Sequence, residues 1–471
     1  MSATAEEREQ ARNSSSMPLD IPGGTISKQV TRMAVPVLVE QSLLYLVGLS
    51  DTVLTGRYLS SEHLAAVAVA GYLLWTVGSL MTVVSVGATA LVARFRGSKR
   101  LADAETTCRQ AIGLSLILGF VLLAIGWPAA PGLISLMNLV GPAHDFAVRF
   151  FRIILCVSPL LAVTAAGVAC LRGAGDTKTG MWVMILVNLL NIGFSWSLVR
   201  GFGPFPKLGF EGIALGTAIA EGVGGLVVLG VLGRGRSGLS LTLSGMIPRR
   251  EASWRILRIS LPAFGESASN SGSQLLFLGL VNTLGATATA AHGVAIRCES
   301  IAFLTVLAFS VPASTLTGQY LGAGRPDLAR RSAITAWAIG SVVLAALGCV
   351  LYFASGPMFE LFLGEGHPEV AAAGMPVLRI VAFAMPALAT INVLNGALRG
   401  AGDTRWPWLI VLIGYFAVRM PLTVWFIRPE SQGGWELGLR GAWIAMFIDL
   451  NVRGVLVAAR FLQGGWRRIR V

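Results

Sequence analysis

Apolar runs of about twenty residues alternate with short polar breaks along almost the whole chain. At the length that crosses a bilayer, about 20 residues per helix, the pattern predicts twelve spans. They fall near 32–56, 63–93, 105–127, 146–170, 179–199, 211–232, 254–283, 288–320, 332–356, 374–397, 407–427 and 439–461. The runs are too long and too unalternating for a transmembrane barrel. Several exceed a minimal span, which predicts tilt or extension beyond the bilayer. The expected fold class is an all-α integral membrane protein.

The runs also repeat. Leu171-Arg172-Gly173-Ala174-Gly175-Asp176-Thr177 recurs letter for letter as Leu398-Arg399-Gly400-Ala401-Gly402-Asp403-Thr404. Pro159 and Pro386 precede the two copies at equal distance, so 398 − 171 and 386 − 159 both give 227. Fainter traces keep the same order at offsets of 225 to 229: Pro36 and Glu40 with Pro262 and Glu266, Ala65-Ala66 with Ala290-Ala291, and Gly209/Gly212 with Gly438/Gly441. Six plus six spans in parallel repeats predict two pseudo-symmetric lobes with a cavity between them, the plan of secondary transporters. The expected division is a disordered cytosolic tail at 1–28, an N-lobe at 29–233, a cytoplasmic linker at 234–253 and a C-lobe at 254–471.

Composition agrees with a membrane solvent. Of 471 residues, 54% are hydrophobic and 13% charged, with mean hydropathy +0.70, against about a quarter charged in soluble domains. The net charge of +13 sits between apolar runs, which reads as a topology signal with lipid headgroup contact; nucleic acid is not an expected partner. Basic residues concentrate after even-numbered spans, so both termini are expected in the cytoplasm. Five scattered cysteines and four histidines form neither a disulfide framework nor metal-ligand spacing, and no catalytic cluster stands out. No cofactor and no enzyme activity are expected.

Candidate chemistry lies in the charges at membrane depth. Asp51 in span 1 is either a proton or sodium site or a carboxylate near the span end that reaches water. Glu40 and Glu266 each follow their lobe's proline by four residues; a freed carbonyl there favours a cation, whereas an arginine in a neighbouring span would make a plain ion pair. Glu221, Arg297, Glu299, Arg379, Arg419, Asp449 and Arg453 read as buried pairs, with Glu266 and Asp449 the candidates for ion coupling among them. Asn188 and Asn191 share one face of span 5, where amides coordinate a cation or join helices. The repeated turns, with Arg172, Gly173, Asp176, Arg399, Gly400 and Asp403, read as cytoplasmic hinge turns in which each aspartate can cap the next helix.

These residues resemble a family. Pro36…Asp51-Thr-Val-Leu-Thr-Gly56 followed by Leu64-Ala-Ala-Val, the paired Leu-Arg-Gly-Ala-Gly-Asp-Thr turns, Asn188-Leu-Leu-Asn191-Ile, Ala290-Ala-His-Gly-Val-Ala-Ile and Gly318-Gln-Tyr-Leu-Gly-Ala-Gly324 resemble, in order and nearly full length, the multidrug and toxic compound extrusion (MATE) antiporters. The resemblance implies a monomeric, twelve-helix exporter of small organic, often cationic, compounds, driven by proton or sodium, in a bacterial inner membrane. It implies a cation-coupling role for Asp51 and a shared pocket with Asn188 and Asn191. Two departures matter. Ser195 stands where some members have aspartate. Asn270 stands where sodium-coupled relatives have a span 7 glutamate, Glu266 comes earlier, and no span 10 aspartate occurs among 385–395, where Asn392 and Asn395 lie. Proton coupling through Asp51 is therefore the expectation. The rivals are a lipid-linked oligosaccharide flippase of the same superfamily, which would line its cavity with Arg297, Arg379 and Arg419, and a membrane enzyme or sensor.

Overall fold

The computed structural model describes residues 25–137, 139–363 and 367–469. Helices follow the apolar runs: α1 Ile26–Tyr58, α2 Ser61–Gly97, α3 Leu101–Leu136, α4 Pro142–Cys156 continued by Ser158–Gly173, α5 Lys178–Arg200 and α6 Phe210–Gly233. The second set is α7 Arg250–Asn282, α8 Ala286–Gly322, α9 Pro326–Phe353, α10 Pro368–Ala382 continued by Met385–Gly400, α11 Arg405–Ile427 and α12 Gly438–Gln463. Among the described residues nine helices are long and apolar enough to cross a membrane, and the two bent pairs raise this to eleven. The twelfth is α7. Its run Glu266-Ser-Ala-Ser-Asn-Ser-Gly-Ser-Gln274 is too polar for that test, and it packs against α2 and α11.

Two boundaries differ from expectation. Residues 26–28 already belong to α1, and the rest of the expected tail, 1–24, lies outside the described residues. The expected linker is shorter and is docked. α7 starts at Arg250, and a single-turn helix at Leu243–Met246 precedes it. Gln110 of α3 clamps the segment: Nε2 donates to the carbonyls of Gly245 (2.9 Å) and Ile247 (2.8 Å), and Oε1 accepts from the Arg249 amide (2.6 Å).

The repeat is visible as geometry. α4 bends by 55° and α10 by 53°, and each bend is followed at once by its proline, Pro159 or Pro386, which fits the first turn of a helix but not its interior. The two identical turns close alike. Asp176 and Asp403 donate their amides to the carbonyls of Leu171 and Leu398, both at 2.8 Å. Gly175 and Gly402 take φ of +94° and +86°, a conformation that side chains resist.

The halves interlock at one end. Val30, Met33 and Ala34 of α1 pack into the C-half core, while Ile256 and Ile259 of α7 pack into the N-half core. At the ends of α2 and α8, Gly97 rests on the Gln319 carbonyl and Gly322 on the Arg94 carbonyl. Both relations carry the same offset: 322 − 97 and 319 − 94 give 225. This end carries the arginine-rich turns. Here Thr315 Oγ1 donates to the Arg172 carbonyl (3.0 Å), Gln319 Nε2 to the Gly173 carbonyl (2.9 Å) and Tyr320 to Gln29 (2.9 Å). At the opposite end the N-half has a core of its own, around Phe150, Phe151, Phe210 and Ile213, with no C-half member among the described residues.

Candidate functional site

Asp51 lies seven residues before the end of α1, roughly 10 Å at 1.5 Å per residue, and is 4% exposed. It is held by uncharged donors. Asn191 Nδ2 of α5 donates to Oδ1 (3.1 Å) and Thr217 Oγ1 of α6 donates to Oδ2 (2.8 Å). Asn191 Nδ2 also reaches Thr217 Oγ1 (2.8 Å), and Ser50 donates to Asn191 Oδ1 (2.7 Å). Among the described residues no lysine or arginine pairs with this carboxylate. An ionised carboxylate in an apolar phase without a cation is unfavourable by several kcal/mol, so the arrangement suits a group that gains and loses a small cation.

The sequence builds this contact by close helix packing. Gly212 and Gly216 lie one turn apart on α6. Gly212 rests on the backbone of Leu198 and Gly216 on Ser195, where a Cβ would overlap the neighbour. Small residues at that spacing let two backbones approach. Thr217, the next residue, is thereby carried to Asp51. Ser195 serves this seam, donating to the Ile213 carbonyl (3.3 Å). Thr217 carries no charge, and the sequence reading missed it; the small-residue pair just before it was the available signal.

Several expected pocket residues lie elsewhere. Asn188 donates to the carbonyls of Leu43 (3.0 Å) and Met184 (2.9 Å), joining α5 to α1 away from Asp51. Glu40 is eleven residues from Asp51, about 16 Å along a helix, and pairs with Arg172 of the first repeated turn (2.8 Å). Glu266 pairs with Arg399 of the second (2.6 Å). The pairs are symmetry mates, and an arginine already occupies the place a bound cation would take. Asp176 and Asp403 are mates too, pairing with Arg236 (3.0 Å) and Arg460 (2.7 Å). Asp176 also accepts the Thr179 amide (3.0 Å), so it caps α5; Asp403 gives its carboxylate to Arg460. Burial alone would raise the Asp176 pKa, but bonds from Thr179 and Arg236 outweigh it and hold the carboxyl below its usual value.

Asn270 sits in the C-half, where it accepts a hydrogen bond from Tyr415. Tyr415 lies in a π-helical stretch of α11, Ile413–Arg419, a local widening frequent at functional sites. Beside it Asp449, fully buried, joins both Arg419 (2.8 Å) and Arg453 (2.7 Å). Asp449 is thus bound by two cations, contrary to the expectation that it couples to a mobile one. Arg379 donates to Ser355 (3.2 Å), and Arg297 is exposed. Among the described residues no three His, Cys, Asp or Glu side chains are grouped to hold a metal ion.

Comparison with known proteins matches this architecture. The MatE family model fits twice, over residues 36–197 and 262–425, once in each half. The probable multidrug resistance protein NorM of Thermotoga maritima is 29% identical over 445 residues, covering 94% of both chains. The multidrug resistance protein NorM of Burkholderia vietnamiensis is 29% identical, covering 91% of this chain and 92% of that one. Among solved structures, a multidrug resistance MATE family transporter in an outward-facing conformation gives a TM-score of 0.85 at 22% identity, covering 95% of this chain and 96% of that one. A MOP superfamily transporter from Pyrococcus furiosus, described as having a binding pocket of reverse polarity, gives 0.85 at 22%, covering 94% and 95%. With one match in each repeat and most of the sequence covered, the chain belongs to the MatE family of multi-pass membrane transporters linked to multidrug efflux.

Proposed function

We propose that the chain is a proton-coupled antiporter, not an enzyme, that exports small organic cations from a bacterial cell across its inner membrane. The observation that carries this reading is the buried Asp51 carboxylate, bonded among the described residues only to neutral Asn191 and Thr217. The arginine-rich end faces the cytoplasm by the positive-inside rule, with both ends of the sequence on that side. The halves are joined at that end by the exchanged α1 and α7 residues, and in this reading the opposite end faces the outside. The protein works as a monomer in the lipid bilayer, with the proton as coupling ion and no cofactor.

A proton on Asp51 removes the charge that makes the bonds from Asn191 and Thr217 strong. The far end of α1 is then freed from α5 and α6. Proton and substrate each bind one lobe arrangement better than the other, and that difference couples them. The first repeated turn, bridged to α8 of the other half through Thr315 and Gln319, is the hinge contact that parts when the basic end opens.

The flippase reading asks for a basic cavity. Pairing of Arg419 with Asp449 and the bond from Arg379 to Ser355 argue against it. The test is efflux of a cationic dye such as ethidium from proteoliposomes under an imposed pH or sodium gradient. A pH gradient alone should drive efflux; drive by sodium alone would replace the proton in this reading.

A further inference from the structure

The C-half does not copy the Asp51 site. At the offsets of the repeat, Phe277, Val418 and Met446 stand where the N-half has Asp51, Asn191 and Thr217: 277 − 51 gives 226, 418 − 191 gives 227 and 446 − 217 gives 229. The polar group of this half is basic instead. Arg419 is 2% exposed; its Nε and Nη2 reach Asp449 Oδ2 at 2.9 and 2.8 Å. Arg453 reaches the same carboxylate through Nε (2.8 Å) and Nη2 (2.7 Å). Both guanidiniums lie over the Tyr415 ring, at 4.6 and 4.5 Å. Two guanidiniums against one carboxylate leave one excess positive charge at membrane depth. Among the described residues neither arginine makes an ion pair with another acid, Glu299 of α8 included. An uncompensated ion in an apolar phase is strongly unfavourable.

A chain of ring contacts runs from Arg419 across the neighbouring helices. Its guanidinium lies 5.5 Å from the Phe277 ring of α7. Phe277 meets His292 of α8 edge-on at 5.7 Å, and His292 meets Trp443 of α12 edge-on at 5.6 Å. Four buried polar atoms on these helices have no hydrogen-bond partner among the described residues: Trp443 Nε1, His292 Nδ1, Ser273 Oγ and Thr423 Oγ1. Trp443, Ser273 and Thr423 are fully buried, and His292 is 6% exposed. Thr423 lies one turn from Arg419 on α11, and Ser273 one turn from Phe277 on α7, each on the shared face. Trp443 can only donate; both hydroxyls, and His292 in one tautomer, can donate too. Arg419 Nη1 reaches only the neutral Gln274 Oε1, at 3.3 Å. Buried polar groups are ordinarily paired. Unpaired donors beside an excess positive charge call for an acceptor that is itself negative.

We propose that these four helices bind a small monovalent anion between Arg419 and the free donors of Trp443, Thr423 and Ser273. A halide and a single carboxylate share the chemistry required. The burial of Arg419 suits a small anion and not a diphosphate. Occupied, the arginine cluster is neutral and the C-half is stabilised. The site is separate from Asp51 and does not depend on the coupling ion.

The test is thermal unfolding of the full chain in detergent, titrated with chloride, bromide or acetate at constant ionic strength, the balance being a bulky sulfonate. The melting temperature of the wild type should rise and saturate, as it does for a ligand of the folded state. Trp443→Phe and Thr423→Val each remove a donor and leave the ion pairs in place. Each should weaken the anion's affinity roughly tenfold or more, as for a hydrogen bond to a charged group. Thr423→Ser keeps the hydroxyl and should restore the affinity. Saturation by chloride and bromide alone assigns a halide; saturation by acetate assigns the carboxylate of an organic molecule. A melting temperature indifferent to all three anions overturns the proposal. So does an equal rise in the wild type and in the double variant Trp443→Phe, Thr423→Val. Either result leaves the proton-coupled reading of Asp51 untouched.

Discussion

Gly97 and Gly322 are mates across the pseudo-twofold axis, each set against the carbonyl of the opposite helix, Gln319 for one and Arg94 for the other. The relation joins α2 to α8 at the basic end and holds the two halves in register. A side chain at either position would strike backbone rather than a movable side-chain tip. Gly97→Val and Gly322→Val should therefore each lower stability by about 1–3 kcal/mol, the usual cost of overpacking. Thermal unfolding in detergent checks this, and symmetry requires losses of similar size for the two.

The pairs Glu40–Arg172 and Glu266–Arg399 connect each lobe's first helix to its repeated turn. Removing one partner strands a charge, so Glu40→Gln and Arg172→Gln should each destabilise, and the double change should cost less than their sum. A coupling energy of about 1–3 kcal/mol is expected. The same cycle on Glu266 and Arg399 should give a value in that range. Additive losses would show that the pairs contribute nothing as pairs.

Thr217 donates to Asp51 at 2.8 Å. A hydrogen bond to a charged group contributes about 1.5–3 kcal/mol. Thr217→Val keeps the shape and removes the hydroxyl, so dye efflux should fall roughly tenfold or more at 1.4 kcal/mol per factor of ten. Thr217→Ser keeps the donor and should restore most of the rate.

Asp176 has its pKa held below the usual carboxylate value by Thr179 and Arg236, against the opposing effect of burial. A depressed pKa means stability that is present above the unfolded value, about 3.9, and lost as pH falls through the folded one. Asp176→Asn should thus unfold at lower temperature than wild type at neutral pH. Melting curves taken at falling pH should converge below about pH 4. A gap that persists into strong acid would assign the effect to something other than the ionised carboxylate.

The span pattern and the repeated heptapeptide were enough to read the twelve helices and two lobes, because lipid demands long apolar runs and duplication leaves literal copies. They also placed Glu40 with Glu266 and Arg172 with Arg399 as equivalents. They did not show that each glutamate meets its arginine, since an offset relates mates between lobes and is silent about neighbours within one. Asp449 and Arg453 stand four apart on α12, a readable pair; that Arg419 of α11 completes a cluster with them depends on helix packing and the π-helical stretch. The exchange of α1 and α7 ends between the two cores was equally hidden. Val30 and Ile256 are apolar residues in apolar runs, and nothing local says which core receives them. Thr217 escaped because a threonine in a hydrophobic helix reads as glue until its neighbour is known.

The most direct test of the account is Asp51→Asn in proteoliposomes, comparing two modes of ethidium transport. Exchange of labelled for unlabelled dye needs no net proton movement; accumulation driven by a pH gradient does. The account predicts that the variant keeps exchange and loses pH-driven accumulation. Accumulation at the wild-type level by Asp51→Asn would contradict it.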